Sequence, residues 1–192
     1  MNALYEELPQ SVMYEDKAYP IITDFREWVR FIDAAKSDEL SGPEKVRHFL
    51  QWYTEGIPDD KAEAINLLRN FLIMSDVPQV GKKLTLQQQA KRDKKPPTLD
   101  YEYDAPCIIA AFQESYGINL LTCGYMHWWE FRFLLDNVNK DTELAFRRSY
   151  RAMETKDIKD KNEKARIIKI KNSIALPNSV RELTDYEIGS AF

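Results

Sequence analysis

The segment Tyr125–Asp136, YMHWWEFRFLLD, restricts the possible fold more than any other stretch of the chain. Placed on a helix, it shows apolar side chains nearly all the way round. Such a helix has no face to give to water, so other elements must enclose it. Its polar residues fall in two places. His127 and Glu130 are i, i+3 neighbours on one side. Arg132 lies on the other, one turn from Trp128 and Trp129, with Asp136 four residues on. A structural account uses all of them. Arg132 lies along an indole face and pairs with Asp136, while His127 and Glu130 hydrogen-bond each other or a neighbouring helix. Trp128, Trp129, Arg132 and Asp136 are therefore expected to form a structural central helix.

The rest of the chain supplies elements to enclose it. Ser11–Ile22 alternates as a small β-hairpin turning at Glu15-Asp16-Lys17. After Asp24, Phe25, Trp28, Val29, Ile32 and Ala35 recur at helical spacing. Ser41 and Glu44 stand in capping-box spacing ahead of Val46, Phe49, Leu50 and Tyr53. Acids open a third helix that carries Ile65, Leu68, Phe71 and Leu72. A fourth begins with Asp104 as cap and Pro106 in its first turn, buries Ile108, Ile109, Phe112 and Tyr116, and stops at Gly117. DTELAFRRSYRAM and KDIKDKNEKARIIKIKNSIAL read as two more helices. Between the third and fourth, Asp76–Asp100 has little periodicity, three prolines and an excess of basic residues, and reads as a long connection or a mobile arm, with a solvated linker the simpler account of its charge. The sequence thus predicts a mainly α fold, a helical bundle of about six or seven helices with an N-terminal β-hairpin. A single domain is expected over 1–177, with hairpin 11–22, arm 76–100 and a loosely attached tail over 178–192.

Composition narrows the function classes. The chain has 192 residues, 44% of them hydrophobic and 30% charged, ordinary values for a globular protein. Six glycines argue against a Gly-rich phosphate loop, and the net charge of −4 argues against nucleic acid or an acidic membrane as a general partner. Two cysteines outside any CxxC spacing and only two histidines leave too few ligands for a zinc site. A carboxylate-bridged site needs Glu-x-x-His on two helices, whereas His127 and Glu130 stand in the reverse order. Cys107 and Cys123 are expected as small core residues. No nucleophile elbow, HExxH, Walker loop or dinucleotide fingerprint is present. No metal, cofactor or catalytic residue is expected, and the chain reads as a non-enzyme. MNALYEELPQ has no signal-peptide character, and no run reaches the length of a membrane span, so a reduced, cytoplasmic protein is expected.

Two basic regions are candidate contact surfaces. In the arm, Lys91, Arg92, Lys94 and Lys95 could meet a partner. Lys156–Asn172 and Arg147–Arg151 could together form a positive stripe. The C-terminal region also carries Ile158, Ala165, Ile167, Ile168, Ile170 and Ile174, so a helix with one docked face and a lysine-rich face in water accounts for it more simply.

Four blocks carry a resemblance: LPQSVMYEDKAYPIITDFREWVRF, LDYEYDAPCIIAAFQESYGINLL, MHWWEFRFLL and IKDKNEKARIIKIKNSIALP. In this order, from Leu8 to Pro177, they resemble a family of Gram-positive bacteriophage and prophage proteins named after phage gene product fifteen. The Tyr-Asp-Ala-Pro element followed by the His-Trp-Trp-x-Phe-Arg helix is the most specific part. The hairpin turn departs from the family pattern, with Glu-Asp-Lys where a glycine is expected. The resemblance carries no catalytic residues over. It implies a role in tail morphogenesis, as an assembly chaperone that holds the long helical tape measure protein, or another tail protein, in the host cytoplasm. It also leaves open a structural head–tail or tail component retained in the virion. A nucleic-acid-binding accessory protein is the remaining alternative. Exposed aromatics could support a homo-oligomer, a ring or a dimer.

Overall fold

The computed structural model describes residues 2–78, 96–156 and 158–177. Their elements are a two-stranded antiparallel hairpin, β1 (Ser11–Tyr14) and β2 (Lys17–Pro20), followed by α1 (Phe25–Lys36), α2 (Gly42–Phe49), a short 3-10 turn at Leu50–Trp52, and α3 (Lys61–Leu72). Then come α4 (Ala105–Tyr116), α5 (Trp128–Asp136), α6 (Glu143–Ala152) and α7 (Lys161–Ser173). The protein is mainly α with an N-terminal β-hairpin, as its periodicities predict. The described residues cluster into two compact units, one within 2–78 and 125–132, the other within 96–124 and 133–177. Most of the expected arm, and the expected tail over 178–192, lie outside the described residues.

In the first unit the hairpin register pairs Val12 with Tyr19 and Tyr14 with Lys17, so Glu15 and Asp16 alone make the turn. Both have positive φ, 46° and 62°, the geometry of a turn that normally selects Asn and Gly. The chain leaving β2 stays extended and is paired on both sides. The Ile22 N–H donates to the Trp52 carbonyl at 2.8 Å and the Thr54 N–H to that of Pro20 at 3.0 Å. The Trp128 N–H donates to Thr23 at 2.7 Å, and Phe25 donates to Met126 at 3.0 Å. Residues 126–128 are therefore held as a β-bridge, and α5 begins at Trp128 rather than at Tyr125 as the apolar pattern suggested. Tyr125 is left outside the helix and 63% exposed.

Helix α1 starts where the Asp24 carboxylate accepts the Arg26 N–H, and it buries Phe25, Trp28, Phe31, Ile32 and Ala35. Helix α2 closes the Ser41–Glu44 capping box. Around these helices Trp28 contacts the rings of Phe31, Phe71 and Trp128, and Phe25 stacks on Phe131 at 4.5 Å. Such a continuous aromatic core supplies large apolar burial together with ring geometry that favours one packing.

In the second unit α4 buries Ile108, Ala111 and Phe112 and ends on Gly117 with φ +69°. That conformation disfavours any side chain, although open space surrounds the position. Thr142 caps α6, which buries Leu144, and Asp160 caps α7 with bonds from Asn162 and Glu163. The apolar set expected to dock the last helix is only partly used. Ile167 is buried, Ile170 and Ile174 half-buried, while Ala165 and Ile168 face solvent. Part of the docking is polar. The Lys171 ammonium donates to the Arg151 carbonyl at 3.1 Å and to that of Met153, meeting carbonyls left over where α6 ends.

Candidate functional site

Trp128 and Trp129 are fully buried, and their adjacent indoles serve the end of another helix. Trp128 Nε1 donates to the Leu72 carbonyl and Trp129 Nε1 to the Phe71 carbonyl, each at 2.9 Å. The last carbonyls of α3 have no intrahelical donors. Met74, in the left-handed region at φ 56°, lets its own N–H reach Phe71 and the Ser75 N–H reach Asn70. Backbone turn and indole pair together satisfy that helix end. The tandem tryptophans are a C-terminal clasp, not a ligand cage.

His127 is equally committed. The Trp129 N–H donates to its Nδ1 at 3.0 Å, so Nδ1 carries a lone pair and the ring caps α5. The proton then sits on Nε2, which donates to the Pro9 carbonyl at 3.0 Å. Neither of these bonds goes to Glu130, one of the two kinds of partner the sequence allows. Burial pushes the imidazole below its ordinary value, opposed by the bond to Pro9 and by the Glu130 charge. Beside it, the Thr23 hydroxyl donates to Gln10 Oε1 at 2.8 Å and lies 2.7 Å from the Tyr125 hydroxyl. Arg132 lies over the Trp128 ring, 5.4 Å from its centroid, as its spacing predicts. In the second unit, the Asp136 carboxylate accepts from Arg148 at 3.2 Å.

The strongest polar cluster was not foreseen. Asp104 stands at the N-cap position of α4, but its carboxylate does not cap. It is fully buried and takes a two-point fork from Arg151, with Nη2 to Oδ1 at 2.9 Å, plus the Asp100 N–H at 3.0 Å. Arg151 also donates to the carbonyls of Ile174 and Thr98, at 2.8 and 3.1 Å. One guanidinium thus ties α6 to three chain segments of its unit. The sequence signal was position. Arg151 lies seven residues from Leu144, on the stripe that helix buries. Cys107 and Cys123 are half-buried rather than core, and burial raises the Cys107 thiol. Among the described residues no group of three or more His, Cys, Asp or Glu could hold a metal ion. No described helix is long and apolar enough to cross a membrane.

What remains for recognition is surface. Phe146 and Tyr150 on α6, and Met153 at its extended C-cap, follow one another at i, i+4, i+7. Phe146 is 39% and Met153 37% exposed, Tyr150 is half-buried, and the two rings lie 4.5 Å apart. Helix α6 therefore carries a second apolar line besides the one ending at Leu144 and Arg151. The basic candidates Lys91, Arg92, Lys94 and Lys95 lie outside the described residues.

Compared with known proteins, residues 4–176 match the family model described as bacteriophage Gp15 protein. No curated protein and no solved structure matches the chain.

Proposed function

The chain belongs to the bacteriophage Gp15 protein family, a family of phage structural or morphogenesis proteins, and on that premise we propose that it acts in tail morphogenesis as a chaperone for the tape measure protein. It binds without covalent chemistry, works in the host cytoplasm and leaves before the tail is complete. One observation carries this reading: the partly exposed i, i+4, i+7 line of Phe146 and Tyr150 on α6 and Met153 at its C-cap. A helix laid against such a line offers apolar anchors at matching spacing, and helix-in-groove recognition uses that pattern. A long helical tape measure protein presents many such anchors. The committed geometry of His127, Trp128, Trp129, Asp104 and Arg151 supports binding over catalysis, because each of these polar groups already serves a helix end or a buried ion pair.

Co-expression with the tape measure protein of the same phage tests the proposal. The tape measure protein is insoluble alone and comes through soluble and bound in the presence of this chain. Purified virions lack this chain. Its recovery from particles at fixed stoichiometry, with no effect on tape measure solubility, would establish a virion component instead.

A further inference from the structure

We propose that copies of this chain associate head to tail, the outward face of α7 on one copy receiving the acidic hairpin tip of the next. Two surfaces of opposite charge carry the inference. Residues 1–78 hold fifteen acidic against eight basic side chains, whereas residues 143–173 hold ten basic against five acidic. Each excess has a local focus. On α7, Arg166, Ile168 and Lys169 face solvent, Ile168 being 39% exposed although a helix docked by its isoleucines would have hidden it. An uncovered isoleucine between basic side chains is the composition of a small contact face with a charged rim.

The complement lies in the other unit. Glu15 and Asp16 form the hairpin tip, and Asp59 lies on the loop that leads into α3. Glu15, at the end of β1, and Asp59 share one neighbourhood, because β1 packs on α3, the helix that Asp59 leads into. The Tyr14 phenol, raised first by burial, is raised further by Glu15, Asp60 and Asp59. Asp60 is used as the α3 cap, while Asp59 and the two tip acids stay exposed. Exposed Ile57, 43%, two residues before Asp59, gives this acidic patch apolar content to set against Ile168. The patches are different surfaces of one chain, so their contact is heterologous. Repeating it gives a ring if the rotation closes and a filament if it does not. Nucleic acid would also meet a basic helix, but α7 and its approach interleave Asp160 and Glu163 among the lysines. The chain carries its own acidic counterpart, which favours a second copy.

Sedimentation of the full chain, with no client present, tests this independently of the chaperone reading. At about 50 mM salt the wild type runs larger than a monomer and dissociates as salt approaches about 500 mM. Glu15→Lys with Asp59→Lys, and separately Arg166→Glu with Lys169→Glu, each weaken association about tenfold or more while keeping wild-type circular dichroism. Mixing the two charge-reversed variants restores association at low salt, because their intact patches still match and their reversed patches are again of opposite charge. A wild type monomeric at every salt concentration overturns the proposal, as do variants that assemble unchanged. Duplex DNA binding with a steep salt slope, lost in the α7 variant while sedimentation stays the same, assigns the basic face to nucleic acid and also overturns it.

Discussion

Arg151 forks its guanidinium onto the Asp104 carboxylate in a pair with side-chain exposures of 7% and 0%, and the same guanidinium holds the carbonyls of Thr98 and Ile174. Removing one partner leaves a buried charge uncompensated. Arg151→Ala or Asp104→Ala should each destabilise by about 3–5 kcal/mol. The double replacement by leucines should cost less than either single change. Urea unfolding of the single and double variants checks this. Additive losses would mean that the pair is not coupled.

The indole clasp gives a second prediction. Trp128→Phe and Trp129→Phe keep the aromatic packing but delete one donor each from the carbonyls of Leu72 and Phe71. Each should cost about 1–3 kcal/mol, the penalty of an unmet buried acceptor. The Trp129 variant should lose less, because Phe71 still receives the Met74 N–H. Thermal denaturation of both variants ranks them.

His127 makes stability depend on pH. Its folded-state value is depressed below the ordinary 6.5, mainly by burial. The unfolded chain therefore binds the proton first as pH falls. The stabilisation is fully present above pH 6.5 and is lost as pH drops below it toward the folded value. Protonation at Nδ1 also removes the acceptor that caps Trp129. Melting temperature should fall from just below pH 6.5, and His127→Asn should flatten that part of the profile. A variant profile parallel to wild type would rule out His127 as the titrating group.

The hairpin turn is strained by its residues. Glu15 and Asp16 both occupy the left-handed region, at a cost on the order of 1 kcal/mol per side chain. Glu15→Asn with Asp16→Gly supplies the pair this turn favours. The double variant should be more stable by about 0.5–1 kcal/mol, read as a higher urea midpoint at unchanged slope.

Much of this fold was legible in the sequence because its helices have clean apolar periods and ordinary caps. Asp24, Ser41, Asp60 and Gly117 terminate elements where composition places them. The errors have physical causes. Tyr125–His127 fits a helical apolar pattern, but backbone pairing with Thr23–Phe25 took these residues first. Asp104 has the residue type and position of a cap, yet Arg151, forty-seven residues away in sequence, claims its carboxylate. Ile168 repeats within an apolar set, but α7 docks by too narrow a face to cover it. The aromatic run was readable as interior, but its task was not. That two neighbouring indoles would close the end of α3 depends on contacts more than fifty residues apart. The apolar line of Phe146, Tyr150 and Met153 is not legible in the sequence, because DTELAFRRSYRAM reads as a helix without showing which of its faces stays exposed.

The chaperone account is tested most directly by pulling down the tape measure protein of the same phage with wild type and with Phe146→Ser, Tyr150→Ser in parallel. These half-exposed positions should change melting temperature little, so a folded variant is expected. The account predicts that wild type retains soluble tape measure protein and that the variant loses it. Equal recovery by both, with the variant folded, would contradict α6 as the client-binding face. Recovery by neither would contradict the chaperone role itself.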